Sequence, residues 1–501
     1  MKRRYITTPL YYVNAAPHIG HAYTTIAADV YTRFIRSRGG EAYLLTGTDE
    51  HGQKVEDAAK AADKHTIDFC DAVSAKFRDL WKHLDIRHDD YIRTTEKRHE
   101  TKVQELFAAL MKSGDIYKGK YEGLYDTVSE AFVKESDAIK SPKGILLGPD
   151  SGKPLQKLSE ETYFFKLSKY GPALLEHYKA HPGFLAPSHR ANEILRFVEG
   201  GLEDISVSRT KVKWGIPVPG DADHTIYVWF DALINYWSAA AGTDLWPADV
   251  HIVGKEIFRF HAVIWPAMLM AAGLELPKKV FAHGWWTVDG KKMSKSAGNF
   301  VDPYEITQEF GVDAFRYFLL REMPFGNDGD FSKASLTKRY NAELANDLGN
   351  LVSRVAEMVD KFLGGRLPTK PPLDLDFYTT TVAKRTPEIS AKMEELDFSG
   401  ALDAIWDVVR ALNARVNEKA PWKLAKSDPK QCELVLFDLV CSLRLVGGWI
   451  DPFMPSTAAK IHMQLGVRAF PVPLTAEDVL AGKKDHPELI QKGPVLFPRK
   501  I

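Results

Sequence analysis

The chain has 501 residues, 45% apolar and 26% charged, with 66 Lys and Arg set against 66 Asp and Glu. That composition excludes a disordered or low-complexity protein and leaves room for about three domains at roughly 150 residues each. The longest apolar run, Ala262 to Leu274, is 13 residues and contains Pro266 and Gly273, short of the ~18 needed to span a membrane. The basic opening Met1-Lys2-Arg3-Arg4 is followed by Ile6 to Val13, too polar and proline-broken for the apolar core of a signal peptide. Cys70, Cys432 and Cys441 are too few and scattered for a disulfide framework. A reducing, cytoplasmic setting is expected. A net charge of zero argues, at first sight, against a nucleic-acid partner.

In chain order, Tyr5 to Leu10 reads as a strand, Tyr12 to Gly20 as a loop, and His21 to Arg38 as a helix with Ala22, Ile26, Val30 and Phe34 at every fourth position. Gly39-Gly40 ends it. Glu41 to Leu45 is a second strand, running into the loop Thr46 to Gly52. Strand, helix, strand predicts a right-handed βαβ unit in a parallel sheet, with ligands beyond the carboxyl ends of its strands. From about Lys118 to Pro219, short aromatic pieces alternate with Gly, Pro, Ser and Lys, as in an insertion. Parallel-sheet material is expected again at Thr225 to Phe230, Val250 to Gly254 and Lys279 to Ala282. The last third is helical: Ser332 to Leu363 stopped by Gly364-Gly365, a Pro-rich linker from Leu367 to Leu375, then Leu402 to Val416 and Leu434 to Ile450.

Two strings carry chemistry. Pro17-His18-Ile19-Gly20-His21 stands where a loop opens a helix, and unpaired N–H groups at a helix start favour phosphate. His18 and His21 could donate to oxygens on which charge develops, and Gly20 would let a flat base approach. About 270 residues later, Lys291-Lys292-Met293-Ser294-Lys295-Ser296 follows the turn Asp289-Gly290, a cationic loop suited to gripping a polyphosphate. Asp302-Pro303-Tyr304-Glu305 then predicts a capped helix start.

His-Ile-Gly-His and Lys-Met-Ser-Lys-Ser together resemble the two signatures of class I aminoacyl-tRNA synthetases. The resemblance narrows to the methionyl-tRNA synthetase family through Pro9 to Asn14, Thr48 to Gly52, Val228 to Tyr236, Gly254 to His261 with Trp265 to Leu269, Asn350 to Arg354, and Ala420-Pro421-Trp422. It implies an α/β fold: a Rossmann-like parallel-sheet catalytic domain with an inserted connective domain, followed by an all-α anticodon-binding bundle. The corresponding boundaries are 1–117 and 225–290 for the catalytic halves, 118–224 for the insertion, 291–331 for the Lys-Met-Ser-Lys-Ser and stem-contact region, 332–480 for the bundle and 481–501 for a tail.

The resemblance also implies residue roles. Leu10, Tyr12, Val228, Trp229, Ala232, Tyr236, Ile257, Phe260, His261 and Trp265 would form the methionine pocket, with Asp49 on the α-ammonium group. An aromatic and aliphatic wall suits a polarizable thioether. His18, Gly20, His21, Lys292, Ser294 and Lys295 would bind ATP, with His18, His21, Lys292 and Lys295 catalytic and Mg²⁺ on the phosphates. Asn350, Arg354 and Trp422 would read the anticodon by base-edge hydrogen bonds and stacking. The implied partners are methionine, ATP and initiator and elongator tRNA(Met), for a monomer.

Many relatives hold zinc in the insertion; here Asp126 and Ser129 stand where the first Cys-x-x-Cys would be, so no structural zinc is expected. A nucleotidylyltransferase would share the His-x-Gly-His helix start but not explain the helical third. A silent RNA-binding paralogue would not need both signatures. Net neutrality also hides a local excess, since Val409 to Lys426 holds five basic residues and one acidic one.

Overall fold

The structure, a computed structural model, describes residues 3–128, 131–133, 135, 137–149, 151–288, 290–292, 300–367, 374–466 and 489–500. Its centre is a parallel sheet built from β1 (Arg4–Thr7), β2 (Tyr11–Tyr12), β3 (Ala42–Asp49), β4 (Asp90–Arg93), β5 (Leu185–Ala186), β6 (Val250–Gly254) and β7 (Val280–His283). The order is β5-β7-β6-β1-β3, and β4 lies on the far side of β3. β1 and β2 form one interrupted track beside β3, Thr7 facing Leu45 and Tyr12 facing Asp49. Pro9, which has no N–H to give a ladder, falls in the break between them.

β3 is longer than the sequence pattern indicated. Its ladder continues through Thr46 to Asp49, so Asp49 ends a buried strand instead of sitting within a loop. A second difference is larger. Thr225 to Phe230 was expected in the parallel sheet; instead Asp221–Ile226 is an antiparallel strand beside Pro217–Val218 and Ser208–Arg209, outside that sheet. Val228–Leu233 is then a six-residue helix. Thr-Ile-Tyr-Val-Trp-Phe has strong strand propensity, but propensity is a weak prior that tertiary packing overrides.

Helix α1 (Ile19–Ser37) crosses one face of the sheet with Ala22, Ile26, Val30 and Phe34 buried, as their spacing predicts. Its core is continuous with that of the helical third. Arg316, wholly buried, ties the two together: it pairs with Asp29 of α1 at 2.6 Å and donates to the carbonyls of Leu84, Pro452 and Phe453. On the other face, α2 (Lys97–Lys112) packs Val103, Leu106, Phe107 and Leu110 into a second core. Val228–Leu233, hereafter α3, joins that core through Phe230, edge-on to Phe107 at 5.5 Å.

The insertion is an antiparallel ribbon, Ile116–Asp126 against Gln156–Phe165, flanked by Ala131–Val133 and Ile205–Ser206. In the last third a helical run extends from Lys333 to Leu363 and ends on left-handed Gly364. A helical stretch from Leu375 to Glu394, which the sequence pattern did not indicate, and the helices Phe398–Lys419, Pro421–Ser427, Pro429–Ile450 and Pro455–Gln464 make up the rest of the bundle. No helix among the described residues is long and apolar enough to cross a membrane.

Candidate active site

The helix expected at His21 begins two residues earlier, at Ile19, with His18 as its N-cap. His18 Nδ1 accepts from the Gly20 N–H at 3.0 Å, and His21 Nδ1 accepts from the His18 N–H at 3.1 Å. Two imidazoles thus do what Ser and Glu do in a capping box. An Nδ1 that accepts carries no proton, so each neutral ring keeps its proton on Nε2. The rings stack at 3.8 Å. Burial, and then the neighbouring His18, hold the His21 imidazole well below its ordinary pKa. Gly20 serves the cap: a Cβ there would lie 2.8 Å from His18 Cε1 and 3.0 Å from its Nδ1.

α1 opens onto a cavity of about 510 Å³ at the carboxyl end of the sheet, where the topology directs ligands. Leu10, Tyr12, Asp49, Val228, Trp229, Ala232, Tyr236, Ile257 and His261 line it, together with His18, Gly20 and His21. On α3 and its continuation, residues 228, 229, 232 and 236 share one helical face. Phe260 and Trp265 are not among the lining residues. Phe260 lies flat against Trp229 with ring centres 3.9 Å apart, and buried Trp265 donates to His251 Nε2 at 3.2 Å. Both back the wall.

The wall is electrically neutral. His261 Nδ1 bonds to the Ile257 carbonyl at 2.9 Å, so that nitrogen carries the proton, and Nε2 accepts from the Tyr236 hydroxyl at 2.7 Å. Burial drives the His261 pKa down to about 4. Behind Tyr236, His251 is held between Thr7 (2.6 Å) and Trp265, and burial holds it well below its ordinary range. A neutral aromatic lining of this kind fits an uncharged side chain, and the buried Asp49 carboxylate at its edge supplies the charge for a cation.

The turn after Asp49 is firmly held. Glu50, fully buried, takes a two-point contact from Arg93 (2.7 and 2.9 Å) and hydroxyl bonds from Thr48 and Thr95. The Tyr12 hydroxyl donates to the His51 carbonyl at 3.0 Å.

Beyond the cavity-lining Trp286, Trp286–Val288 and Lys291–Lys292 form an antiparallel hairpin, as the Asp289-Gly290 pair predicts. Lys292 ends that strand. Ser294 and Lys295 lie outside the described residues. Asp302 caps the next helix through the Tyr304 N–H at 2.9 Å, with Pro303 at its first position.

Sequence reasoning passed over several lining residues as site candidates: Asn14, Lys54, Glu256, His283 and Trp285. Glu256 accepts from Trp285 Nε1 at 2.5 Å, and His283 from the Thr24 hydroxyl at 2.7 Å. The signal was present. Glu256 follows β6 and His283 ends β7, and the carboxyl-end rule applies to every strand of a parallel sheet, not only to the first two.

In the helical third, the Arg354 guanidinium lies 5.9 Å from the centre of the Trp422 ring and donates to Asn417 at 3.2 Å. Asn350, one turn before Arg354, is exposed, and Trp422 is 40% exposed, enough to offer a ring face. The basic excess nearby is smaller than the sequence suggests. Arg415 is buried against Asp438 (2.7 Å) and Asp374 (3.0 Å), and Arg410 pairs with Asp407.

In the insertion, buried Asp126 accepts from the Val128 N–H at 2.9 Å, closing a turn; Ser129 lies outside the described residues. Among the described residues no three His, Cys, Asp or Glu are grouped to hold a metal ion.

A family model described as tRNA synthetases class I (M) matches residues 4–356. The methionine--tRNA ligase of Caldanaerobacter subterraneus subsp. tengcongensis is 48% identical over 512 residues, covering 99% of this chain and 79% of that one. That of Streptomyces coelicolor is 45% identical over 523 residues, covering 99% and 97%. Among solved structures, Mycobacterium tuberculosis methionyl-tRNA synthetase in complex with methionyl-adenylate superposes with a TM-score of 0.93 at 40% identity, covering all of both chains. The apo form of that protein gives 0.87 at 38% identity, covering 100% of this chain and 99% of that one.

Proposed function

The chain belongs to the methionine-specific class I tRNA synthetases, and from that premise we propose how its residues divide the work of charging tRNA with methionine. The enzyme joins L-methionine to ATP as methionyl-adenylate, releasing pyrophosphate, and then passes the methionyl group to tRNA. In the first step a methionine carboxylate oxygen attacks the α-phosphorus, and the bond to the β-phosphate oxygen breaks. In the second, a hydroxyl of the terminal ribose attacks the acyl carbon and AMP leaves. Methionine supplies its own nucleophile, so catalysis reduces to positioning and to stabilising charge on phosphate oxygens.

The observation that carries this reading is one cavity that joins a neutral aromatic wall, a buried carboxylate and a histidine-capped helix start. Asp49 takes the α-ammonium group. Leu10, Tyr12, Val228, Trp229, Ala232, Tyr236, Ile257 and His261 take the thioether side chain, with Phe260 and Trp265 supporting them. His18 and His21 present Nε2–H donors to the α-phosphate, and Lys292, Ser294 and Lys295 take the departing pyrophosphate. Imidazole N–H and ammonium groups suit phosphate oxygens and not a cation, so Mg²⁺ fits as part of the nucleotide, where it neutralises phosphate charge when bound.

Asn350, Arg354 and Trp422 read the anticodon of initiator and elongator tRNA(Met) alike, by base-edge bonds and by stacking on the exposed ring. The stem-contact region and bundle follow the boundaries expected from sequence, whereas Leu185–Ala186, within the 118–224 expected for the insertion, belongs to the central sheet and so to the catalytic domain; the enzyme works as a cytoplasmic monomer. This division of labour is tested by Trp422→Ala. Stacking is worth about 1–3 kcal/mol per base, so tRNA charging should lose about tenfold or more in kcat/KM while methionine-dependent pyrophosphate exchange stays within about twofold. Equal losses in both assays would refute it.

A further inference from the structure

Asp231 sits on α3 between the cavity-lining Trp229 and Ala232, fully buried, and is not among the residues lining that cavity. Each of its carboxylate oxygens receives an imidazole: His51 Nδ1 reaches Oδ2 at 2.6 Å, and His99 Nε2 reaches Oδ1 at 2.6 Å. His99, on α2, is itself held through Nδ1 to the Ser238 hydroxyl at 2.8 Å, and that hydroxyl lies 3.2 Å from the Asn235 carbonyl. Burial pushes the Asp231 carboxyl up, and the two imidazoles outweigh it, leaving the group below the ordinary carboxylate range.

Three separate elements therefore meet on one side chain. His51 belongs to the turn two residues beyond Asp49. Asp231 belongs to the helix that carries Val228, Trp229 and Ala232. His99 anchors both to α2 and the second core. α3 has no side-chain cap, and a helix this short, even with its continuation to Ala240, depends on tertiary contacts for its place. On its polar side, the Asp231 bonds are what set its place relative to the turn.

We propose that Asp231 is a positioning residue that fixes the separation between the carboxylate binding the amino-acid ammonium and the aromatic wall enclosing its side chain, and so tunes selectivity for side-chain length. This rests on the assignment of Asp49 and Trp229 made above. A slack of about 1 Å in such a site costs on the order of 10²-fold when it falls on reacting atoms, and less when it falls on a side-chain subsite.

The test is pyrophosphate exchange with methionine and with its S-ethyl homologue ethionine, for Asp231→Asn, His51→Asn and His51→Ala. Asn at position 231 sets an amide N–H₂ against one imidazole N–H, so one bond is lost with little change in volume. The methionine KM is expected to rise about tenfold, the ATP KM to stay within about twofold, and the preference for methionine over ethionine to relax. His51→Ala should behave in the same way. His51→Asn should stay near the parent enzyme, because its amide N–H stands about where Nδ1–H stood, and this pair decides the matter if Asp231→Asn does not fold. A merely structural role would lower kcat for both amino acids together. An unchanged methionine KM in folded Asp231→Asn, a parallel rise in both KM values, or His51→Asn no better than His51→Ala would overturn the proposal. Asp49→Asn and Trp229→Ala, run alongside, report on the underlying assignment: if neither raises the methionine KM, that assignment fails and the proposal with it.

Discussion

Replacing Gly20 by alanine is expected to lower methionine-dependent pyrophosphate exchange by about a hundredfold or more while leaving the melting temperature nearly unchanged. The two effects have separate causes. Gly20 is in the first turn of α1, and its backbone conformation is open to any L residue. Alanine there is favoured by up to about 1 kcal/mol over glycine, against the loss of one cap. The new Cβ, however, falls 2.8 Å from the His18 ring, and the cheapest relief is rotation of that side chain. His18 Nδ1 then leaves the Gly20 N–H, and the stacked pair with His21 opens. Removing one donor to a developing oxyanion costs on the order of 10²–10³ in rate, and here both imidazoles are disturbed. Differential scanning calorimetry with exchange kinetics checks this. A variant that melts normally and exchanges normally would mean that the histidine pair does not act on the α-phosphate.

Asp49→Asn is expected to raise the methionine KM by about a hundredfold, with the ATP KM nearly unchanged. Asn keeps the shape and one acceptor but removes the charge. The α-ammonium group would then enter a buried site without the carboxylate that faces it. Charge-assisted hydrogen bonds contribute about 1.5–3 kcal/mol, and about 1.4 kcal/mol is tenfold in affinity, so the upper half of that range gives the stated factor. The turn itself should survive, because Glu50 and its Arg93 contact hold it independently. Steady-state exchange with each substrate varied in turn gives the two KM values. A fall in kcat with methionine KM intact would assign Asp49 to the chemical step and not to the ammonium group.

The βαβ entry, the histidine string on it and the helical run to Leu363 were legible because each is a local pattern, whereas Leu402 to Val416 and Leu434 to Ile450 fell short of the helices Phe398–Lys419 and Pro429–Ile450, and Arg385–Glu394 was passed over. Apolar residues every fourth position define α1, and a glycine stop ends Lys333 to Leu363. α3 was not legible. Thr225 to Phe230 is a β-branched and aromatic run too short for any period to show, and what makes residues 228 to 233 helical is packing of Phe230 on Phe107 and the bonds of Asp231 to His51 and His99. Those partners are 123, 180 and 132 positions away, beyond any window of local reading. The spacing of the implied pocket residues, 228, 229, 232 and 236, was itself helical and pointed the other way from propensity.

Burial also hides charge that the sequence counts. Arg415 counts as basic in the sequence, but burial against Asp438 and Asp374 takes it off the surface. What remains exposed is Asn350 one turn before Arg354, and Trp422 with Lys423 and Lys426 on its own helix. Recognition resting on stacking and base edges, with modest phosphate attraction, suits an enzyme that must release its charged product. Zero net charge therefore constrains how an RNA is held, not whether one is bound.

The most direct measurement is pyrophosphate exchange with each of the twenty amino acids in turn. The account predicts exchange driven by L-methionine alone. Comparable exchange with leucine or cysteine, or none with any amino acid, would contradict it.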